Sequence, residues 1–274
     1  MILLLGSVFS PAYAAARERG PVNPLDFAAV HVTLRGPGCA VWVQSEGLAP
    51  DVSAASLGVG RSRLSATASG LTLELDVPQT RFGGRPGPPL RGRVTFHPEI
   101  LDGGTWTLAP GHLWSPIMPR GRAEVRFDAP GVTFTGGAYH DANVGDGPLE
   151  RAFDGWQWLR RRSGDGADVR YRGRRAGGEA FEVGLRWHPD GRLERLPGAI
   201  WRDAGRTGWG LHRALPAESG VRLTPWVSTP FYVRSLIADA EGGGGVYEAV
   251  DLSRFRSRWV RYLLGFRTHR EAGP

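Results

Sequence analysis

The stretch SRLSATASGLTLELDV, residues 62–77, decides the fold class. Residues 62–68 and 71–77 flank Gly70, and apolar side chains alternate at Leu71, Leu73 and Leu75. A period of two, interrupted by glycine, is the mark of a β-hairpin with one face turned to a core. Working outward, the same short pattern recurs. On the N-terminal side it covers 26–34, 40–44 and 57–59; on the C-terminal side 90–97, 105–108, 123–127, 132–135, 155–162, 168–174, 180–187, 192–196, 208–212, 221–226, 231–238 and 246–250. Turns are marked by Gly36-Pro37-Gly38, by the Gly/Pro-rich run 81–89 and by His188-Pro189-Asp190-Gly191. Prolines and glycines from Pro116 to Gly121 are expected to break the chain before strand 123–127. Only residues 252–264 differ: Phe255, Trp259, Tyr262 and Leu263 have helical spacing, with Ser253 as the expected N-cap. The expectation is an all-β chain of antiparallel sandwiches or barrels ending in a short helix. The strands outnumber those of a single eight-stranded barrel. Two consecutive β domains are therefore expected, 1–128 and 129–274, with one large sandwich as the alternative.

Composition bounds the rest. The chain has 274 residues, 40 Gly and 21 Pro, spread without a collagen-like period, so they read as turns. Ten Trp are a large aromatic load; they suit either ordinary sheet cores or the binding of a long apolar polyene. The formal net charge of +7 suggests an anionic partner. Nucleic acid is not expected, because no zinc-finger spacing, helix-turn-helix or RNA-binding sheet motif is present. Cys39 is the only cysteine, so no intramolecular disulfide can form. Residues 1–16, MILLLGSVFSPAYAAA, imitate a secretory signal but lack its basic start. They read instead as a buried strand over 2–5, a turn at Gly6 and Ser7 and a short apolar segment to Tyr13. The expected protein is cytoplasmic, peripheral to a membrane at most.

Two clusters carry chemistry. The first is Tyr139-His140-Asp141-Ala142-Asn143-Val144-Gly145. If extended, it puts Tyr139 and Asp141 on one side and His140 on the other, so a phenol and a carboxylate would share a proton network. The same run also reads as a turn held by Asp141 and Asn143. Trp156 and Trp158 share a face of the next strand. The second cluster is His112-Leu113-Trp114, with His112 and Trp114 pointing one way. No G-x-S-x-G elbow, H-E-x-x-H helix, Walker loop or zinc-deaminase signature is present, and no His or acid spacing asks for a metal.

Together with Asn23-Pro24-Leu25, His97-Pro98-Glu99, Pro116-Ile117-x-Pro119-Arg120, Pro148-Leu149-Glu150, Thr229-Pro230-Phe231-Tyr232-x-Arg234-Ser235 and the tail from Glu248, these clusters resemble the acyclic carotenoid 1,2-hydratases, or hydroxyneurosporene synthases. The resemblance runs nearly end to end. It implies a pair of lipocalin-like β domains and a hydro-lyase that adds water across the terminal C1–C2 double bond of a neurosporene- or lycopene-type carotenoid. It also implies no cofactor, with a long acyclic carotenoid and water as partners; the basic charge, with a lipophilic substrate, adds contact to an anionic membrane surface at the periphery, and the His and acid spacing gives no metal. His112, Trp114, Tyr139 and Asp141 match the family's functional residues. Asp141 is expected as the general acid, Tyr139 as the group orienting its proton, Trp114 as a ring facing the cation and His112 as the group activating water. Trp156, Trp158, Asn143, His140, Phe231 and Tyr232 are expected to bind substrate. Glu150 and Asp154 are the rival acids. Ala142 and Val144 depart from relatives that carry His and Trp there. A lipocalin-like cyclase or isomerase, or a non-catalytic carotenoid carrier, is the alternative.

Overall fold

The computed structural model describes residues 1–6, 9–36, 38–46, 50–68, 70–81, 84–101, 103–238, 244–265 and 268–270. The hairpin that set the expectation is there. Strand Ser62–Thr67 pairs antiparallel with Gly70–Thr80, Leu64 opposite Leu73. Leu73, Leu75 and Val77 are buried, as the alternation requires.

The architecture is predominantly antiparallel β with short helices. Among the described residues one sheet has eight strands and another seven, accompanied by a four-stranded and a two-stranded sheet. Among the described residues neither large sheet closes into a barrel. Thr268–Arg270 pairs parallel with Cys39–Glu46.

The chain divides into two compact units, and they are not consecutive. Unit 1 comprises 1–98, 121–138 and 261–274; unit 2 comprises 99–120 and 139–260. This differs from the expected single cut near residue 128. The physical reason is strand length. His112–Ala129 and Val132–Gly145 are 18 and 14 residues long, so each contributes residues to both units. Pro116 and Pro119 were expected to break the first of them, yet the strand runs through. Proline removes a donor, not an acceptor. The Pro116 carbonyl accepts from Gly103 N at 3.0 Å, and the Pro119 carbonyl from Arg160 Nη2 at 3.1 Å.

The termini also differ from expectation. Strand Ile2–Leu4 matches, but the segment that follows is a helix, Pro11–Arg19. Ser10 caps it, its Oγ accepting from Tyr13 N at 2.9 Å, with Pro11 in the first turn. Ser7 of the expected turn lies outside the described residues. The C-terminal helix is two helices, Leu252–Phe255 and Arg258–Gly265. Asp251, not Ser253, is the first one's N-cap, accepting from Arg254 N at 3.1 Å.

Unit 1 packs Val30, Val32, Val43, Leu73, Leu75, Val77, Leu90 and Val94 out of water. Unit 2 is organised on the seven-stranded sheet, whose order is Leu193–Arg195, Ala180–Trp187, Gly166–Arg175, Phe153–Ser163, Gly244–Asp251, Tyr232–Ala238, Arg222–Ser228. One face is a dry core of Leu159, Val233, Ile237, Tyr247 and Ala249, closed by Leu211, Leu215 and Leu223. The fully buried Tyr247 keeps its hydroxyl satisfied by Ala214 N at 3.2 Å. The other face carries different chemistry. Register places Tyr171 and Glu248 on either side of Trp158, and Arg234 beyond Glu248. Directly paired residues point to one side of a sheet, so Tyr171, Trp158, Glu248 and Arg234 form a continuous row there.

Candidate active site

The run 139–145 is extended, within strand Val132–Gly145. That resolves its two sequence readings in favour of alternation. Tyr139 and Asp141 share a side, and the Tyr139 hydroxyl donates to Asp141 Oδ2 at 3.1 Å. Trp114 supplies the second donor. Its ring is fully buried, which leaves its N–H no access to water. Leaving that donor unpaired would cost about 1–3 kcal/mol. It donates to the same Asp141 Oδ2 at 2.8 Å.

The trio rests on the polar row of the seven-stranded sheet. The Tyr139 ring lies 5.4 Å from Trp158, and Trp114 meets Tyr171 edge-on at 5.4 Å. Trp156 continues the aromatic floor, 6.0 Å from Phe153 and 6.4 Å from Tyr171. The Arg160 guanidinium stands 5.6 Å from the Tyr139 ring centre.

Electrostatics follow from withdrawal from water. Burial pushes the Asp141 carboxyl up from its ordinary range. The bonds from Trp114 and Tyr139 oppose that rise, Glu248 adds to it, and Arg234 opposes it. Burial, reinforced by the Asp141 charge, holds the Tyr139 phenol well above its usual value, so it remains an O–H donor.

His112 is buried on the same strand as Trp114 but stands apart from the Asp141 bonds. Its ring packs edge-on against Phe153 at 5.2 Å. The imidazole also lies against Gly145, where an added Cβ would collide with it. Burial lowers its pKa, partly offset by Asp146. A neutral imidazole at neutral pH is the result.

The remaining expected residues scatter. Tyr232 is buried on the sheet's polar side, in the row that contains Val250 and Trp156. Phe231 packs on Phe255 at 5.1 Å, in the core beneath the helix Leu252–Phe255. His140 points away from Tyr139 and Asp141; its buried Nδ1 has no partner among the described residues, and burial lowers its pKa. Asn143 is exposed near the strand end, and Val144 is 64% exposed. The Val144 departure therefore alters surface, not cavity. Of the rival acids, Asp154 is engaged by Arg174 at 3.9 Å and Arg256 at 3.5 Å, while Glu150 is buried on the short helix Leu149–Ala152. Among the described residues, no group of three or more His, Cys, Asp or Glu side chains is placed to hold a metal ion.

Sequence reasoning missed Tyr171, Arg160 and the Arg234–Glu248 pair. Arg234 Nε donates to Glu248 Oε1 at 2.7 Å. Both residues stand in segments singled out for their resemblance, but nothing in linear spacing joins residue 141 to residue 248.

All of residues 1–274 match the family described as carotenoid hydratase CrtC. The chain belongs to that family. Among similar carotenoid hydratases, the acyclic carotenoid 1,2-hydratase of Thiocapsa roseopersicina is 33% identical over the whole of this chain and 69% of its own length. That of Cereibacter sphaeroides is 32% identical over 100% and 99%. Two crystal structures share the fold at low identity. Kievitone hydratase from Nectria haematococca has a TM-score of 0.56 at 11% identity, covering 85% of this chain and 82% of its own. A Nitrosomonas europaea protein assigned as AttH has a TM-score of 0.58 at 14% identity, covering 82% and 81%. At these identities the two speak for fold alone.

Proposed function

We propose that this carotenoid hydratase adds water across the terminal C1–C2 double bond of an acyclic carotenoid, with Asp141 as the acid. The observation that carries the reading is the pair of donors on one oxygen. Trp114 and Tyr139 both donate to Oδ2, which suits the carbonyl oxygen of a neutral carboxyl. Oδ1 is then the oxygen that bears the proton. An alkene is a weak base, so its acid must hold a proton near neutral pH and still be strong once the substrate is in place. A carboxyl buried among aromatic side chains meets the first demand. Two hydrogen bonds that favour the departing carboxylate meet the second.

In this mechanism the Oδ1 proton moves to C2 and the alkene electrons leave a tertiary cation at C1. Water bonds to C1 and gives up one proton, and the neutral His112 is the acceptor. The proton returns to Asp141 through solvent, so water is the only species consumed. The rings of Tyr171, Trp156 and Trp158 are assigned to stabilise the cation in this mechanism. Trp114 acts chiefly through its N–H, which is spent on Asp141. Lipocalin-like ligand binding by the sheet of unit 2, and contact with an anionic membrane that holds the carotenoid, belong to the same proposal.

The test is an anaerobic incubation with lycopene or neurosporene in H₂¹⁸O, read by mass spectrometry. One labelled water added per end is expected for the wild type, and none for Asp141→Asn. A mass-neutral product would replace hydration with cyclisation or isomerisation, and unchanged polyene would leave a carrier.

A further inference from the structure

The proposed chemistry leaves unused the most deeply placed ion pair on the site face. Arg234 and Glu248 are 15% and 17% exposed at their side chains and lie opposite one another in register. Both guanidinium atoms, Nε and Nη2, reach Glu248 Oε1. Glu248 is also paired in register with Trp158, whose ring touches Tyr139, the donor to Asp141. The carboxylate thus stands one side chain removed from the proton donor, on the same face. A buried ion pair of this kind is seldom worth its desolvation as a stability device; apolar residues of similar size serve as well or better. A fixed charge beside a titrating acid has a different use.

We propose that Glu248, held in place by Arg234, is a positioning residue whose negative charge keeps the proton on Asp141 until substrate takes it. The proposal rests on the reading of Asp141 as the acid. Like charges a short distance apart in a poorly solvated site do not both ionise readily. The charged and titratable groups around Asp141 are Tyr139 on its own strand, Arg160 on strand Phe153–Ser163, Tyr171 on Gly166–Arg175, Tyr232 and Arg234 on Tyr232–Ala238, and Glu248 on Gly244–Asp251. In register Glu248 stands beside Trp158 and Arg234 one strand further off, so the negative end of the pair lies nearer the Tyr139–Asp141 bond and the pair does not cancel.

The experiment titrates Asp141 by NMR in full-length protein carrying ¹³C-carboxyl aspartate, with the resonance assigned by its loss in Asp141→Asn. In Glu248→Gln, which keeps the shape and the acceptor for Arg234, the Asp141 midpoint is expected to fall. Hydration of lycopene is expected to lose its alkaline limb at correspondingly lower pH, with kcat down about tenfold near pH 8 and KM unchanged. If the lone Arg234 charge unfolds that variant, the double change Arg234→Gln with Glu248→Gln removes both charges, and the midpoint is still expected below wild type. An unmoved midpoint in a folded variant overturns the proposal, whatever the activity. A midpoint that falls in a protein whose wild type hydrates nothing leaves the Glu248 effect standing and removes the hydratase reading instead.

Discussion

Asp141 Oδ2 accepts two bonds from residues 25 positions apart in sequence, Trp114 and Tyr139, and the character of the site follows from that convergence. The Tyr139–Asp141 half was legible, because two residues apart on a strand means one face. The Trp114 half was not: it needed the pairing of two long strands, which no local pattern encodes. The Asp141 carboxyl is raised by burial, so the folded state binds a proton that the unfolded chain has released. Stability therefore falls as pH rises from the ordinary aspartate range through the folded value. Asp141→Asn is accordingly expected to raise the melting temperature at pH 8 and to leave it nearly unchanged near pH 4, while abolishing hydration. A lower melting temperature at pH 8 would mean that the carboxylate is a structural partner. Tyr139→Phe removes one of two donors, and a roughly tenfold loss in kcat with little change in KM is expected. Wild-type activity is expected to decline on the alkaline side as Asp141 loses its proton.

At the level of strands, glycine decides where rings can lie. Gly145 gives the His112 imidazole its seat, and Gly173 leaves the space filled by the Phe181 ring beside Phe153 and Tyr171. Gly145→Ala is expected to displace His112 and lower kcat, with the global fold retained by circular dichroism. Wild-type kcat in that variant would show that His112 has no part in catalysis. The hairpins and most strands were readable from period two and turn residues. What was not readable has two causes. Proline at 116 and 119 and glycine at 121 look like breakers until a neighbour uses the proline carbonyls. The helix Pro11–Arg19 has no apolar stripe to announce it and is set instead by its Ser10 cap and Pro11.

Across the whole molecule, the chain passes between the two units four times, since three segments of one alternate with two of the other. Separate expression of 1–128 and 129–274 is expected to give two unfolded fragments, because each lacks strand residues that the units require. Cooperative unfolding of either piece alone would show that the units fold consecutively. None of the described helices is long and apolar enough to cross a membrane. With a net charge of +7, the protein is expected to sediment with anionic vesicles at low salt and to release as salt rises. Binding only to neutral vesicles would remove charge as the cause.

The two-faced sheet of unit 2 also separates the histories open to its residues. On strand Phe153–Ser163, Trp156, Trp158 and Arg160 face the site, while Gln157 and Leu159 face the dry core, where the Gln157 carbonyl accepts from Ala214 N at 3.1 Å. If the even positions hold the polyene as proposed, drift toward a shorter, longer or more oxygenated one can proceed there without disturbing the odd ones. Descendants that diverge in diet should therefore differ at every second residue of one strand and agree in between.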